Sequence, residues 1–316
     1  MMQSEEAYGF ETGVAAEFPR YVMYDVNNLC NARCPFCPQS ALAKSDSFIP
    51  SHLDWDLYVK TIDEVARYPV ELVRFTGDGE PLLHPKFSEM IERAVSLGIS
   101  KINLTTNGSL LRDERLERIL ASPPHIIDFS LDAIYEETYK KYRVGLSFDI
   151  TMKNVLRFLE RRDPNRTKVI VSMILHPGLA AEAEVFKEFW RDKVDQVAIR
   201  RLHSNLGSVN VVQMPPPKKR WPCAHLWQRL VIDFRGHIRF CPVDWHDQSY
   251  LGDVSAMTLH EAWRSEFMVN LRTRHLLGNY KGGGVCENCT DWANTPWADS
   301  WVNMVRKPEL QTSSPR

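Results

Sequence analysis

The sequence predicts an α/β chain: a partial (β/α)6 barrel followed by a small domain built from a β-hairpin, a helix and a group of cysteines. Three observations predict it. Six short β-branched runs alternate with amphipathic segments between Tyr21 and about Leu202, a break at Pro215 to Pro217 ends the alternation, and seven cysteines divide into three before the break and four after it. A chain of 316 residues has room for about two domains, or for one barrel with an appendage.

Residues 1–20 form an N-terminal extension whose start, "MMQSEEAYGFETG", is polar and acidic and reads as neither a signal nor a transit peptide. The barrel is expected over 21–208. Its strands are "YVMYDV", "VELVRFTG", "SKINLTTNG", "HIIDFSLD", "TKVIVSMIL" and "VDQVAIRR". Helices lie between them, such as "LDWDLYVKTIDEVARY", with Leu57, Ile62, Val65 and Ala66 on one face, and "HPKFSEMIERAVSLG", which Gly98 is placed to stop. Three consecutive prolines can continue neither a helix nor a central strand, so 209–222 is a linker, with Lys218, Lys219 and Arg220 as a solvated face. The small domain spans 223–292. It contains a hairpin turning at Arg235-Gly236 and one helix over "TLHEAWRSEFMVNLRTRHLLGN", opened by a Thr258/Glu261 capping box. Residues 293–316 are a C-terminal tail, expected to be disordered from about Lys307.

Lys and Arg number 39 against 40 Asp and Glu, for a net charge of -1, which argues against a general nucleic-acid or anionic-membrane binder. No apolar run is long enough to cross a bilayer, and the expected compartment is the cytoplasm. There, clustered thiols are metal ligands or redox centres rather than disulfides.

The stretch "NNLCNARCPFCPQS" places Cys30, Cys34 and Cys37 in the loop after the first strand, at the end of the sheet where chemistry is expected. A cubane iron–sulfur cluster usually takes four cysteines, so three leave one iron open to a small molecule bearing an amine and a carboxylate. A zinc knuckle completed by a distant residue is the other reading. Cys223, Cys241, Cys286 and Cys289 form a second group, which from chemistry alone could hold a structural zinc or a second cluster.

The Cys-x3-Cys-x2-Cys spacing with Phe36 before the last cysteine resembles the radical S-adenosylmethionine (SAM) superfamily. "FTGDGEPLLHP" resembles its Gly-Gly-Glu motif, stretched to Gly77-Asp78-Gly79-Glu80; "TTNG" with Asn107, "FSLDA" with Ser130 and Asp132, and then Arg143 follow in matching order. The resemblance implies that these residues and Phe36 contact SAM, and that the barrel carries a SAM-binding 4Fe-4S cluster on Cys30, Cys34 and Cys37. The second cysteine group, in "WPCAHLWQRLVIDFRGHIRFCPVDW", "LGDVSAMTLHEAW" and "CENC", resembles the SPASM/twitch extension of that superfamily. Four cysteines match its single-cluster, twitch-sized form, with one auxiliary 4Fe-4S cluster on Cys223, Cys241, Cys286 and Cys289. Their separations resemble those of the 2-deoxy-scyllo-inosamine dehydrogenase type of butirosin biosynthesis.

What this implies is an oxidoreductase of natural-product (antibiotic) biosynthesis. It would cleave SAM to a 5′-deoxyadenosyl radical, take a carbinol hydrogen from a sugar or aminocyclitol, and pass the second electron to the auxiliary cluster, giving a ketone. The electron for cleavage would come from a one-electron reductant such as flavodoxin or ferredoxin. Epimerisation, the alternative reaction, needs a hydrogen donor, commonly a thiol; all seven cysteines are assigned, which disfavours a thiol-dependent epimerase and leaves a tyrosine or another donor for that reading. Peptide modification is the other occupation of this group, weakened by an N-terminal extension of only about twenty residues. A non-enzymatic iron–sulfur protein would leave SAM uncleaved. For the proton acceptor and substrate contacts the candidates are Arg200, Arg201 and His203 after the sixth strand and Asp244 and His246 after Cys241, each weighed against an ordinary interdomain hydrogen bond. Trp221, Trp227, Trp245 and Trp263 are expected in the small-domain core.

Overall fold

A computed structural model describes residues 17–202, 204–209, 220, 222–282 and 284–294. Most of the N-terminal extension, His203, Lys218, Lys219, the three prolines, Trp221 and the tail from 295 lie outside these residues.

All six barrel strands form: β1 (Tyr21–Tyr24), β2 (Leu72–Phe75), β3 (Ile102–Thr106), β4 (Ile126–Ser130), β5 (Lys168–Leu175) and β6 (Gln196–Arg201), each paired in parallel with the next. Helices α1 (Pro38–Leu42) and α2 (Trp55–Val65) follow β1, α3 (Phe87–Ser96) follows β2 and α4 (Asp113–Ala121) follows β3. Helices α5 (Glu136–Tyr142) and α6 (Phe148–Arg161) follow β4, and α7 (Ala180–Trp190) follows β5. Local chemistry explains the boundaries. Asp54 caps α2 by accepting from the Asp56 and Leu57 amides, and Gly98 adopts φ +73° just past α3, as a helix stop requires.

The hairpin after the linker is not a free-standing element. Strand β7 (Arg229–Ile232) pairs in parallel with β1, and β8 (His237–Arg239) and β9 (Tyr250–Asp253) extend the sheet antiparallel, giving nine strands in the order β6-β5-β4-β3-β2-β1-β7-β8-β9. The turn falls at the expected place, with Gly236 at φ +86°. The short helix α8 (His225–Gln228) precedes β7. The single helix expected over 258–279 is instead two, α9 (Leu259–Arg264) and α10 (Glu266–Leu276). Ser265 breaks it: its backbone is extended, its hydroxyl bonds the Ala262 carbonyl and it caps α10 at the Met268 amide. The Thr258/Glu261 capping box is present.

Side chains two apart share a face of the sheet, so the strands sort the barrel interior into layers. Tyr21, Leu72, Ile126, Ile170 and Ala198 form an apolar layer toward the strand starts. The next layer is polar: Arg74 donates to Thr105, and Arg200 donates to Asp128 at 2.5 Å. Above it, at the carboxyl ends, lies the cleft.

Candidate active site

The cleft has a volume of about 300 Å³ and collects residues from the carboxyl end of, or the segment after, every barrel strand. Its floor is the cysteine loop. Cys37 opens α1, Arg33 is tied to the Val144 carbonyl, and Asn31 bridges to Asn107 and Ser109 across the β3 end. Burial pushes the Cys30 thiol up to about 12 and the Cys37 thiol up to about 11, and raises Cys34 as well. The Ala32 amide donates to Cys30 Sγ at 3.4 Å, and the Arg143 guanidinium lies 3.7 Å from Cys34 Sγ. Three converging thiols, disfavoured as bare thiolates yet supplied with an amide and a guanidinium for sulfur charge, suit a cationic iron cluster with one iron free.

The second wall is the loop after β2, whose two glycines are dictated by their neighbours. A Cβ on Gly77 would stand 1.5 Å from Asp25 Oδ1, and one on Gly79 would stand 2.3 Å from the Leu29 carbonyl oxygen. Gly77 is also at φ +108°. The Glu80 amide donates to that same Leu29 carbonyl, so this loop and the cysteine loop are directly laced. The Glu80 carboxylate accepts from Thr106 Oγ1, the Asn107 amide and the Leu82 amide, which anchors the β3 end; burial raises its pKa against these bonds.

Of the cofactor contacts expected from sequence, Phe36, Gly77, Gly79, Glu80, Asn107, Ser130 and Arg143 all line the cleft. Asp132 and Asp78 are not among its lining residues. Asp132, at φ +64°, holds Arg143 through a 2.7 Å ion pair and accepts from the Ile174 amide. Asp78 turns away and accepts from Arg239.

The polar residues suggested for catalysis disperse. Arg200 points into the barrel and pairs with Asp128, whereas Arg201 is exposed and His203 lies outside the described residues. Asp244 is buried with its two oxygens accepting from the His246 and Ser249 amides, so it shapes a turn instead of facing the cleft. His246 is exposed and bonded to Ser208. Trp227 and Trp263 are core residues as expected, but Trp245 lines the cleft. Thr105 and Asp128 also belong to the barrel interior. The alternation Asp128, Ser130, Asp132 along "IIDFSLDA" was the signal that would have found Asp128.

Cys223, Cys241, Cys286 and Cys289 line one separate cavity. Burial raises all four thiols, Cys223 to about 11 and Cys286 to about 12. Arg220 is not a solvated linker residue: it donates to the Cys286 carbonyl at 2.6 Å and its guanidinium lies over the Tyr280 ring. His275 accepts from the Cys223 amide, and burial pushes it down to about 4. Among the described residues one group of three potential ligand atoms lies mutually within 4.8 Å, Asp233, His237 and Asp247, and Arg235 already bridges its two carboxylates.

Comparison with known proteins agrees with this architecture. A family profile for the radical SAM superfamily matches residues 24–189, and one for SPASM, an iron–sulfur cluster-binding domain, matches 223–290. The chain is 28% identical over 189 residues to a tungsten-containing aldehyde ferredoxin oxidoreductase cofactor-modifying protein of Pyrococcus furiosus, covering 60% of this chain and 49% of that one. It is 31% identical over 173 residues to a GTP 3',8-cyclase of Chlorobaculum tepidum, covering 54% and 50%. The chain thus spans about half the length of these curated relatives. Among solved structures it resembles BtrN in complex with AdoMet and 2-DOIA (TM-score 0.61, 14% identity, 89% of this chain and 96% of that one). It also resembles Streptococcus suis SuiB bound to S-adenosylmethionine (TM-score 0.69, 14% identity, 87% and 72%). With a three-cysteine cluster loop on a parallel β/α sheet and a four-cysteine segment joined to its β1 edge, the chain belongs to the radical SAM superfamily and carries a SPASM iron–sulfur cluster-binding domain.

Proposed function

We propose that this protein is a radical SAM dehydrogenase that oxidises a secondary alcohol of a sugar or aminocyclitol to a ketone, with a second, closed 4Fe-4S cluster on Cys223, Cys241, Cys286 and Cys289. The observation that carries this reading is the distribution of thiols. Three lie in the cleft as a ligand set, four lie in a cavity of their own, and no eighth remains as a hydrogen donor for a redox-neutral epimerisation. Sulfur spacing supports a cluster over zinc: tetrahedral zinc with Zn–S near 2.3 Å holds its sulfurs about 3.8 Å apart. Among the described residues no three cysteine sulfurs come mutually within 4.8 Å. The fold shared with BtrN, a protein crystallised with AdoMet and 2-DOIA, is in keeping with a small hydroxylated substrate.

When bound, SAM and the two clusters supply the one-electron chemistry: the 5′-deoxyadenosyl radical that takes the carbinol hydrogen, and the acceptor for the second electron. The chain's own residues bind and orient. Arg143, held by Asp132 and with Phe36 packed beside it, would bind the cofactor's carboxylate. Ser130 lines the cleft and offers a hydroxyl group to a hydroxylated ring. One inward-facing position below Ser130 sits Asp128, with Oδ2 on Arg200 and Oδ1 without a hydrogen-bond partner. Asp128 takes the hydroxyl proton in this scheme, and Arg200 orients it. A one-electron reductant of the flavodoxin or ferredoxin kind completes the reading.

The test is an anaerobic assay of reconstituted protein with SAM, dithionite and a panel of amino sugars and aminocyclitols, with GTP and a cysteine-bearing peptide included. The expected result is a hydrazine-trappable ketone formed in step with 5′-deoxyadenosine, falling about 100-fold in Asp128→Asn. Turnover of GTP or the peptide alone, or an isomerised alcohol with no ketone, overturns the proposal.

A further inference from the structure

Asp78, the residue that separates the two glycines of the β2 loop, has no place in the cleft, and its surroundings explain its presence. Its Oδ2 accepts from Nη2 of Arg239 at 3.2 Å, and the same Nη2 donates to Asp25 Oδ2 at 2.6 Å. The other terminal nitrogen, Nη1, donates to the Asp244 carbonyl. Arg239 is 1% exposed, Asp25 2% and Asp78 8%, so this is a buried ion cluster.

Its three members come from three segments. Asp25 follows β1 and leads into the cysteine loop; Asp78 belongs to the Gly77–Glu80 loop; Arg239 ends β8, two residues before the auxiliary ligand Cys241. The Asp25 carboxylate is also the group that leaves Gly77 no room for a Cβ, so it supports the loop from below while Arg239 holds it from the side. Two buried carboxylates this close repel unless a cation lies between them, and a guanidinium is the side chain suited to bridge both.

We infer that Arg239 is a positioning residue through which the auxiliary-cluster segment holds the SAM-binding loop in its binding geometry, so that affinity for SAM depends on a C-terminal residue absent from the cleft lining. This rests on the cofactor reading given by family membership and not on alcohol oxidation. Linkage makes the effect reciprocal: SAM bound in the cleft stiffens the hairpin that carries Cys241.

The experiment compares SAM binding to reconstituted wild-type protein, Asp78→Asn and Asp247→Asn, together with iron content and hydrogen exchange of the 76–80 segment. Asp78→Asn keeps the side-chain shape and the Arg239–Asp25 pair, so the protein folds and loads iron. It is expected to weaken SAM binding about tenfold and to speed exchange in 76–80. Asp247→Asn breaks the Arg235 ion pair on the same hairpin without touching the loop, and is expected to bind SAM as wild type does. A purely structural role of the hairpin would move both variants alike. Asp78→Asn binding SAM within about twofold of wild type, or Asp247→Asn weakened equally, overturns the coupling. Wild-type protein with no affinity for SAM would overturn the cofactor reading as well.

Discussion

Arg143→Met is expected to destabilise the protein by about 3–5 kcal/mol and to abolish SAM cleavage. The guanidinium is buried, pairs with Asp132 at 2.7 Å and lies against Cys34 Sγ and the face of Phe36. Removing it leaves the Asp132 carboxylate, 1% exposed, buried without its guanidinium partner, and this accounts for the stability loss. In the proposed reading the catalytic loss has a separate origin, since Arg143 is the residue that would pair with the cofactor's carboxylate. The double variant Arg143→Met with Asp132→Asn separates the two. Denaturant unfolding should recover most of the lost stability, while 5′-deoxyadenosine formation stays absent. Recovery of cleavage in the double variant would show that Arg143 only serves the fold.

Gly79→Ala is the second large effect, expected at about 3 kcal/mol or more of stability together with failure to retain the cluster in the cysteine loop. The new methyl group would stand 2.2 Å from Asn27 Oδ1, 2.3 Å from the Leu29 carbonyl oxygen and 2.8 Å from the Asn27 carbonyl oxygen. Two of these are backbone atoms of the segment that leads into Cys30, so relief requires moving the cysteine loop itself. Bleaching of the visible iron–sulfur absorption on buffer exchange, at a rate well above wild type, is the expected readout. Gly98→Ala is the comparison: nothing lies within 4 Å of its Cβ position, so only the cost of φ +73° remains, about 1 kcal/mol. Equal cluster retention in the two variants would contradict the steric account.

Most of the barrel was legible in the sequence because its signals are local. β-Branched runs marked β1 to β6, and the order of cysteines, glycines, Asn107, Ser130 and Arg143 along the chain reproduced their convergence on one cleft. What escaped depends on contacts distant in sequence. Asp78 reads as part of a cofactor motif until Arg239, 161 residues away, is seen to claim it. Asp244 reads equally as a proton acceptor or a hydrogen-bonding residue until both its oxygens are found on backbone amides. Arg220 reads as solvated linker until the Cys286 carbonyl and Tyr280 ring are found against it. The parallel pairing of β7 with β1 is likewise invisible locally, since a hairpin pattern says nothing about which edge it joins. The break at Ser265 illustrates the converse: a polar residue inside a helical pattern competed for backbone hydrogen bonds and won.

Metal analysis tests most directly whether Cys223, Cys241, Cys286 and Cys289 hold a redox-active cluster. Iron, sulfide and zinc per chain should be measured after anaerobic reconstitution, for wild type and for Cys286→Ala with Cys289→Ala. About eight irons per chain are expected, falling toward four in the double variant, with no stoichiometric zinc in either. About four irons with one zinc per chain, the zinc lost in the double variant, would contradict the second cluster and return the reaction to a redox-neutral class.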